Sequence, residues 1–569
     1  MSRIGVFVCH CGINIAGTVD VAAVVEQVRQ HPDVAFAADY KYMCSDPGQE
    51  LIRKTIAEQK LDGVVVAACS PAMHETTFRR AVANAGVNAF RCECANIREQ
   101  ISWVHQERKE EATAKAIAIT RSIVQKVAGN EPLEPISAAV THRALVIGGG
   151  IAGMQAALDL ADAGFPVILV ERKEQLGGNM ARLSGTYLNF SAAPDLLQKM
   201  VRRVNSHNLV QVVTGAEVAS VEGYVGNFKV KVEQHAKDQA PVDFTFDVGA
   251  IVLATGWERF PQSSLPEYGG GDIPDVIDGL TFEGMLAPGA QIRRPSDGKI
   301  PREVVFVQCA GSRDPERGVP YCSKVCCMYV AKQAMLYKER QPDGQAYVFY
   351  IDIRSAGKGY DEYVQRAMTD SQVLYLRGKV SKIFRDGDKV VVWGADTLSG
   401  RSLEIAADLV VLATPMSPNP SAVELGQRVH ASTDANGFFT EAHAKLRPVE
   451  TLTAGIFLAG AAQGPKDIPE TVAQASAAAA KVLQLFSHEK MTVSPLVATV
   501  TAELCAGCGA CVLACPYGAR SIHPLWNIAT VNASLCQSCG ACVVACPNKA
   551  SQVHNWRPDQ ILAMLDEVL

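Results

Sequence analysis

Two copies of one cysteine run near the end of the chain constrain it more than any other feature. Cys505, Cys508, Cys511 and Cys515 precede Pro516, and the C-x2-C-x2-C-x3-C-P pattern returns 31 residues later as Cys536, Cys539, Cys542 and Cys546 before Pro547. Three closely spaced thiolates wrap one cubane of iron and sulfide, and the fourth, carried beyond a turn, reaches the other. The spacing therefore predicts one 4Fe-4S cluster on Cys505, Cys508, Cys511 and Cys546 and a second on Cys536, Cys539, Cys542 and Cys515. Zinc, which takes four ligands in two pairs, fits eight thiolates in this order less well.

The pattern is that of the bacterial two-cluster ferredoxin, so residues 491–569 are expected to form an α+β domain of that kind. The whole chain, at 569 residues, is too long for one core and predicts about three to five domains. Hydrophobic residues at 48% and charged residues at 20% are ordinary for a globular chain and exclude wholesale disorder. A net charge of -5 and the lack of any Lys/Arg run of about five or more leave nucleic acid an unexpected partner. No stretch reaches the roughly 18 apolar residues of a spanning helix, and residues 1–11 read as a strand rather than a leader, so a cytoplasmic chain is expected. Its 18 cysteines, in tightly spaced groups, point to metal ligation in a reducing compartment.

Upstream, residues 1–129 alternate short apolar runs (4–8, 34–37, 63–67) with helix-like stretches (19–30, 47–59), the pattern of a Rossmann-like parallel sheet. Residues 130–136 carry two prolines and no periodicity, so a linker is expected there. A second βα unit then opens at Ala144. Its strand leads into Gly148-Gly149-Gly150-Ile151-Ala152-Gly153 and an apolar-faced helix, and the following strand ends at Glu171. In such a turn Gly148 permits the tight bend, Gly150 lets a pyrophosphate approach the helix N-terminus, Gly153 allows close helix–sheet packing, and Glu171 accepts a ribose hydroxyl.

Gly177 and Gly178 follow that acid, with Arg172 and Asn179 beside them. This arrangement resembles flavoproteins with two dinucleotide-binding domains, the thioredoxin and glutathione reductase group, and the resemblance implies FAD rather than NAD. It extends over about 143–486 and includes Ala254-Thr255-Gly256 and the segment ending at Gly460. Ala461 stands where those enzymes usually carry an aspartate, and Asp467, Ile468 and Pro469 open a helix whose N-terminus would face the flavin. The expected division is 141–300 and 429–490 for the FAD domain, with 301–428 as an NAD-domain-like insertion; residues 261–301, rich in Pro and Gly, read as a hinge or surface excursion. The runs ending Ala254-Thr255-Gly256 and Ala413-Thr414-Pro415 echo one another and suggest two related halves.

The second half has no glycine fingerprint after its strand at 303–307, which argues against tight NAD(P)H binding. It carries Cys309, Cys322, Cys326 and Cys327 instead, favoured as ligands of a third cluster over buried thiols or a redox disulfide. Lys332, about one turn further along, is placed to stabilise negative charge near a flavin N5.

With Cys309, Cys322-Ser323-Lys324-Val325-Cys326-Cys327, Gly464-Pro465-Lys466-Asp467-Ile468-Pro469 and Cys9-His10-Cys11-Gly12-Ile13-Asn14, nearly the whole chain resembles the A-type subunit of heterodisulfide reductase. The resemblance implies FAD, several 4Fe-4S clusters and, in some members, electron bifurcation. It also implies assembly with B- and C-like subunits, ferredoxin and an electron donor (a hydrogenase, a formate dehydrogenase or a hydrogenase adaptor), and self-association as a homodimer. Methanogen members commonly carry a further ferredoxin-like insert, and no such run lies between Gly148 and Pro301 here. Cys9, Cys11, Cys44 and Cys69 fall in the matching stretches and are expected to hold another cluster at the carboxyl edge of the first sheet, with Cys92 and Cys94 in reserve and His10 and His74 as supporting or surface residues. The functional expectation is an FAD and iron–sulfur subunit that splits or relays electrons; the rivals are a non-bifurcating relay or scaffold and a self-contained NAD(P)H oxidoreductase.

Overall fold

A computed structural model describes residues 2–235 and 241–569. They gather into two compact units, 1–138 with 492–569, and 139–491.

In the first unit, the apolar runs form a parallel sheet in the order Val34–Tyr40, Ile4–Cys9, Gly63–Ala68, Cys92–Asn96. The two inner strands are buried along their whole length, as strands covered on both faces must be. The expected helices form at Val21–Val28, capped by Asp20, and at Asp46–Gln59, capped by Ser45. The segment expected to be a linker is tied down. Asn555 exchanges hydrogen bonds with the backbone of Glu131 at 2.8 and 3.1 Å, Arg557 pairs with Glu131 at 2.6 Å, and Gln560 bonds Asn130 at 3.0 Å. The helix Pro558–Asp566 thereby packs on Lys109–Gly129. The cysteine-dense segment is a duplicated unit: Ala498–Val500 pairs with Ser551–Val553, Arg520–Ile522 with Ala529–Val531, and each repeat has one short helix, Ala510–Leu513 or Ala541–Val544.

The second unit contains the same construction twice. Strands Ala144–Ile147, Val167–Glu171 and Val210–Thr214 lead into a three-stranded antiparallel meander and then Ala250–Leu253; Glu303–Val307, Gln345–Tyr350 and Leu374–Arg377 lead into a second meander and then Leu409–Leu412. Each five-stranded parallel sheet takes its last strand from outside its own half: Ile456–Leu458 joins the first, and Val276–Asp278 joins the second. The echoed triplets each lead into a crossing strand, and these two strands, Trp257–Arg259 and Met416–Pro418, pair with each other. One expectation needs correction here. Residues 261–301 are not merely a surface excursion, because they contribute the buried strand Val276–Asp278 and the helix Gly279–Met285, whose Phe282 and Glu283 are buried. Pro and Gly crowd the turns around these elements and mask their short apolar core.

Candidate functional site

The glycine turn at 148–150 opens on a cavity of about 470 Å³ in the second unit. Gly148, Gly150, Ile151, Ala152, Glu171, Arg172, Gly178, Asn179, Ala254, Thr255, Gly256, Lys332, Asp467, Ile468 and Pro469 all line it, as does Ala461. Gly153, Gly177 and Gly460 do not; they shape the backbone behind the wall. A Cβ on Gly153 would sit 1.8 Å from the Gly148 carbonyl oxygen, so only glycine lets the helix Ile151–Asp162 pack this closely. A Cβ on Gly178 would lie 3.0 Å from the Gly150 Cα, which brings the two glycine turns together at one edge of the cavity.

Several features of the wall suit an anionic dinucleotide. The helix Ile151–Asp162 begins at Gly150 without a side-chain cap, so its first N–H groups remain available to an anion. Glu171, buried, accepts from Gly149 N–H at 2.6 Å and Lys173 N–H at 2.9 Å and keeps further acceptor capacity. Thr255 Oγ1 and Gln333 Oε1 are buried without hydrogen-bond partners, which marks the wall as incomplete without a polar occupant. Burial lowers the Lys466 ammonium to about 8. Asp467 caps the helix Ile468–Phe486 through a reciprocal capping box with Glu470 and accepts the hydroxyls of Tyr187 and Tyr360 at 2.7 and 2.5 Å.

Lys332 lies in the wall on the helix Cys326–Arg340, 2% exposed. Its Nζ donates to the Gly185 carbonyl at 2.7 Å and to Glu283 Oε2 at 2.8 Å, leaving one of its three N–H donors without a protein partner. Glu283 also accepts from Ser184 N–H at 3.0 Å, Ser184 Oγ at 2.7 Å and Gln333 Nε2 at 2.8 Å. Burial pulls the ammonium down and Glu283 opposes it. Sequence reasoning missed Glu283, Tyr187 and Tyr329, since no local motif surrounds them and only their convergence on the cavity marks them.

The four thiols of the second half sit beside this wall. Cys326 lies beside both Cys309 and Cys327, and its thiol lowers Cys309 to about 7 against the opposing effect of burial. Cys309 and Cys322 both lie near enough to Arg313 to favour its charge. Val325, between Cys322 and Cys326, and Tyr329, which carries the influence of Cys326 and Cys327, both line the cavity.

In the first unit, Cys9 ends its strand and Cys69 follows its own, as expected. Cys9 neighbours Cys11 and Cys44, Cys69 neighbours Cys9 and Cys11, and Arg98 Nη1 donates to Cys11 Sγ at 3.3 Å. Cys92, held in reserve, lies away from the carboxyl edge. It begins the strand Cys92–Asn96 in register with Val64, on the opposite edge of the sheet, because the parallel pairing runs every strand the same way. Cys94 lies inside that strand, where burial and then Glu75 and Glu93 push its thiol up to about 12. His10 pairs with Asp39 at 2.6 Å in a partly exposed position.

In the cysteine-dense repeat, Cys505, Cys508, Cys511 and Cys546 line one small cavity, and Cys515, Cys536, Cys539 and Cys542 line a second. These are the two sets that the spacing predicts. Backbone N–H groups of Ala529 and Ala498 donate to Cys505 and Cys536 at 3.3 Å each. Those of Ala519 and Ala550 donate to Cys515 and Cys546 at 3.3 and 3.2 Å. At Cys546 such backbone donors outweigh burial and lower the thiol. Among the described residues, no three His, Cys, Asp or Glu side chains are grouped to hold a single metal ion, and no helix is long and apolar enough to cross a membrane.

The family model described as pyridine nucleotide-disulphide oxidoreductase matches residues 142–281, and that of a 4Fe-4S dicluster domain matches 504–550. The chain is 42% identical to an A-type iron-sulfur subunit of the CoB--CoM heterodisulfide reductase of Methanopyrus kandleri, over 91% of this chain and 90% of that protein. It is 40% identical to the A-type subunit of the H(2):CoB-CoM heterodisulfide,ferredoxin reductase of Methanothermobacter marburgensis, with the same 91% and 90% coverage. Among solved structures, T. acidophilum thioredoxin reductase is similar with a TM-score of 0.42 at 18% identity, over 61% of this chain and 100% of that one.

Proposed function

Since the chain belongs to the A-type subunit family of heterodisulfide reductase and is an oxidoreductase with a flavoprotein core and a 4Fe-4S dicluster domain, we propose that it is the FAD and iron–sulfur electron-transfer subunit of a heterodisulfide reductase-like complex. The observation that carries this reading is the shared wall: Val325 and Tyr329 line the flavin-sized cavity and are interleaved with Cys322, Cys326 and Cys327. FAD exchanges two electrons and each cluster passes one, so together they convert between two-electron and one-electron chemistry.

Each part of the chain has a task in that scheme. The N–H groups at Gly150 and Ile151 would hold the pyrophosphate and Glu171 the ribose, and the Asp467-capped helix opens its positive end on the same cavity. Lys332 holds a proton in the cavity wall, kept in place by Glu283 and Gly185. Cys309, Cys322, Cys326 and Cys327 ligate the nearest cluster. Cys505, Cys508, Cys511 and Cys546 ligate another, as do Cys515, Cys536, Cys539 and Cys542. Cys9, Cys11, Cys44 and Cys69 hold a fourth, favoured over Cys92 and Cys94 because Cys9 ends its strand and Cys69 follows its own, whereas Cys92 begins its strand and Cys94 lies inside it. The partners are B- and C-like subunits, a hydrogenase- or formate dehydrogenase-type donor, and ferredoxin.

Anaerobically purified chain should contain one FAD and roughly twelve to sixteen iron atoms, as three or four cubanes require. Absence of flavin, or iron well below that range, overturns the reading. Bifurcation at the flavin predicts that a low-potential ferredoxin is reduced only while a disulfide acceptor is reduced in the assembled complex. Reduction of either acceptor alone would assign a simple relay. Rapid flavin bleaching by NADH or NADPH alone would point to a self-contained oxidoreductase, against which the absence of a second glycine fingerprint stands.

A further inference from the structure

The cysteine-dense repeat is nearly symmetric, and one side chain breaks the symmetry. Shifting by 31 residues superposes Ala498 on Ala529, Ala519 on Ala550 and every cysteine on its counterpart, and the backbone N–H bonds to sulfur superpose as well. The shift carries Arg520 onto Ser551, each the first residue of its strand. Arg520 lines the cavity of Cys515, Cys536, Cys539 and Cys542 and is the one charged residue lining either cavity among the described residues.

This guanidinium is 5% exposed. Its Nη2 donates to Cys542 Sγ at 3.1 Å, to Ser551 Oγ at 2.9 Å and to the Thr499 carbonyl at 3.5 Å, and none of these partners is a carboxylate. Its Nε and Nη1 are buried with no partner. An arginine stays charged in any protein environment, and burying it without a counter-charge is costly. A net-negative cluster of four thiolates, sulfide and iron supplies both the missing charge and the missing acceptors.

On the reading that both cavities hold cubanes, we propose that Arg520 sets the two apart, making the centre on Cys515, Cys536, Cys539 and Cys542 the better electron acceptor. The backbone donors are matched across the repeat and cancel in the difference, whereas the guanidinium bonds a ligand sulfur of one centre directly, at Cys542, and reaches the other only through space, at Cys511. Hydrogen bonds to ligand sulfur and local charge are recognised determinants of cluster potential. One electron entering this domain therefore rests on the Arg520 centre, and transfer from the Cys505, Cys508, Cys511 and Cys546 centre toward it runs downhill. Arg520 is a positioning residue in this scheme.

The test is a redox titration of the full anaerobic chain followed by electron paramagnetic resonance, with the two signals assigned by Cys508→Ser and Cys539→Ser. Arg520→Gln should lower the electron affinity of the Cys539 centre about tenfold, about 59 mV for one electron, and leave the Cys508 centre within about twofold. The exchange Arg520→Ser with Ser551→Arg moves the charge across the repeat and should invert the order of the two potentials. Unchanged potentials, or equal shifts of both centres, overturn the proposal. Loss of iron from both variants with the fold retained by circular dichroism also overturns it, assigning Arg520 a purely structural role. Iron and sulfide content of the unaltered chain tests the underlying cluster reading separately.

Discussion

The buried ion pair of Lys332 and Glu283 allows a quantitative test of how the flavin-cavity wall is held. Both side chains are almost fully buried, so solvent screens neither. Glu283→Gln leaves the ammonium with Gly185 as its only strong acceptor, and breaking a buried pair from one side costs about 3–5 kcal/mol. Lys332→Met should lie at about 3 kcal/mol, the lower end of that range, because the carboxylate retains Ser184 N–H, Ser184 Oγ and Gln333. The double variant removes both charges, so its cost should be less than the sum of the two, near 2 kcal/mol or below, as roughly expected when a buried pair is replaced rather than broken. With an unfolding entropy of about 2.1 cal/mol/K per residue, a unit the size of 139–491 converts 3–5 kcal/mol into a fall of about 4–7 °C. The assay is the temperature at which flavin fluorescence appears on heating, since bound flavin is released when the cavity opens. The two singles should melt early and the double should melt later than either. Singles that melt with the unaltered chain, or a double equal to their sum, would refute the reasoning. Linkage adds a sign. Burial lowers the Lys332 ammonium in the folded state, so the unfolded chain binds the extra proton, and this site's contribution to stability rises as pH climbs from the lowered value toward the ordinary lysine value of about 10.4. Lys332→Met should abolish that rise.

Three further outcomes follow from the geometry. Gly153→Ala, whose Cβ would meet the Gly148 oxygen at 1.8 Å, should displace the helix Ile151–Asp162, cost about 1–3 kcal/mol and yield chain lacking flavin by absorbance. Cys508→Asp with Cys511→Ala should lower iron by about four atoms per chain while flavin content holds; loss of flavin as well would mean that the repeat and the flavin core do not fold separately. Lys466, lowered to about 8 by burial, is cationic below that pH, so the affinity of flavin-free chain for FAD should fall about fivefold as pH rises through 8, the worth of ~1 kcal/mol; Lys466→Met should flatten the profile in a fluorescence titration.

The parts that the sequence specifies are those whose information is local. A tight loop fixes where three thiolates can go, so Cys505, Cys508 and Cys511 were legible from spacing, and even the exchange of Cys515 and Cys546 between sets followed from the turn beyond them. The glycine turn at 148–150 and the capped start of the helix Ile468–Phe486 are equally local, since each is decided within about one helical turn. Tertiary structure alone decided the rest. Glu283 comes to Lys332 from a Pro- and Gly-rich stretch 49 residues away, the strands Trp257–Arg259 and Met416–Pro418 meet across the whole second half, and residues 130–131 are held by 555–560. Cys9 ends its strand and Cys92 begins its own, so parallel pairing sets the two at opposite ends of the sheet. Closing such long loops costs little more than closing short ones, so many distant pairings are affordable in entropy and no short motif selects among them. Packing selects them instead, by requiring every buried charge and strand edge to find a partner at once.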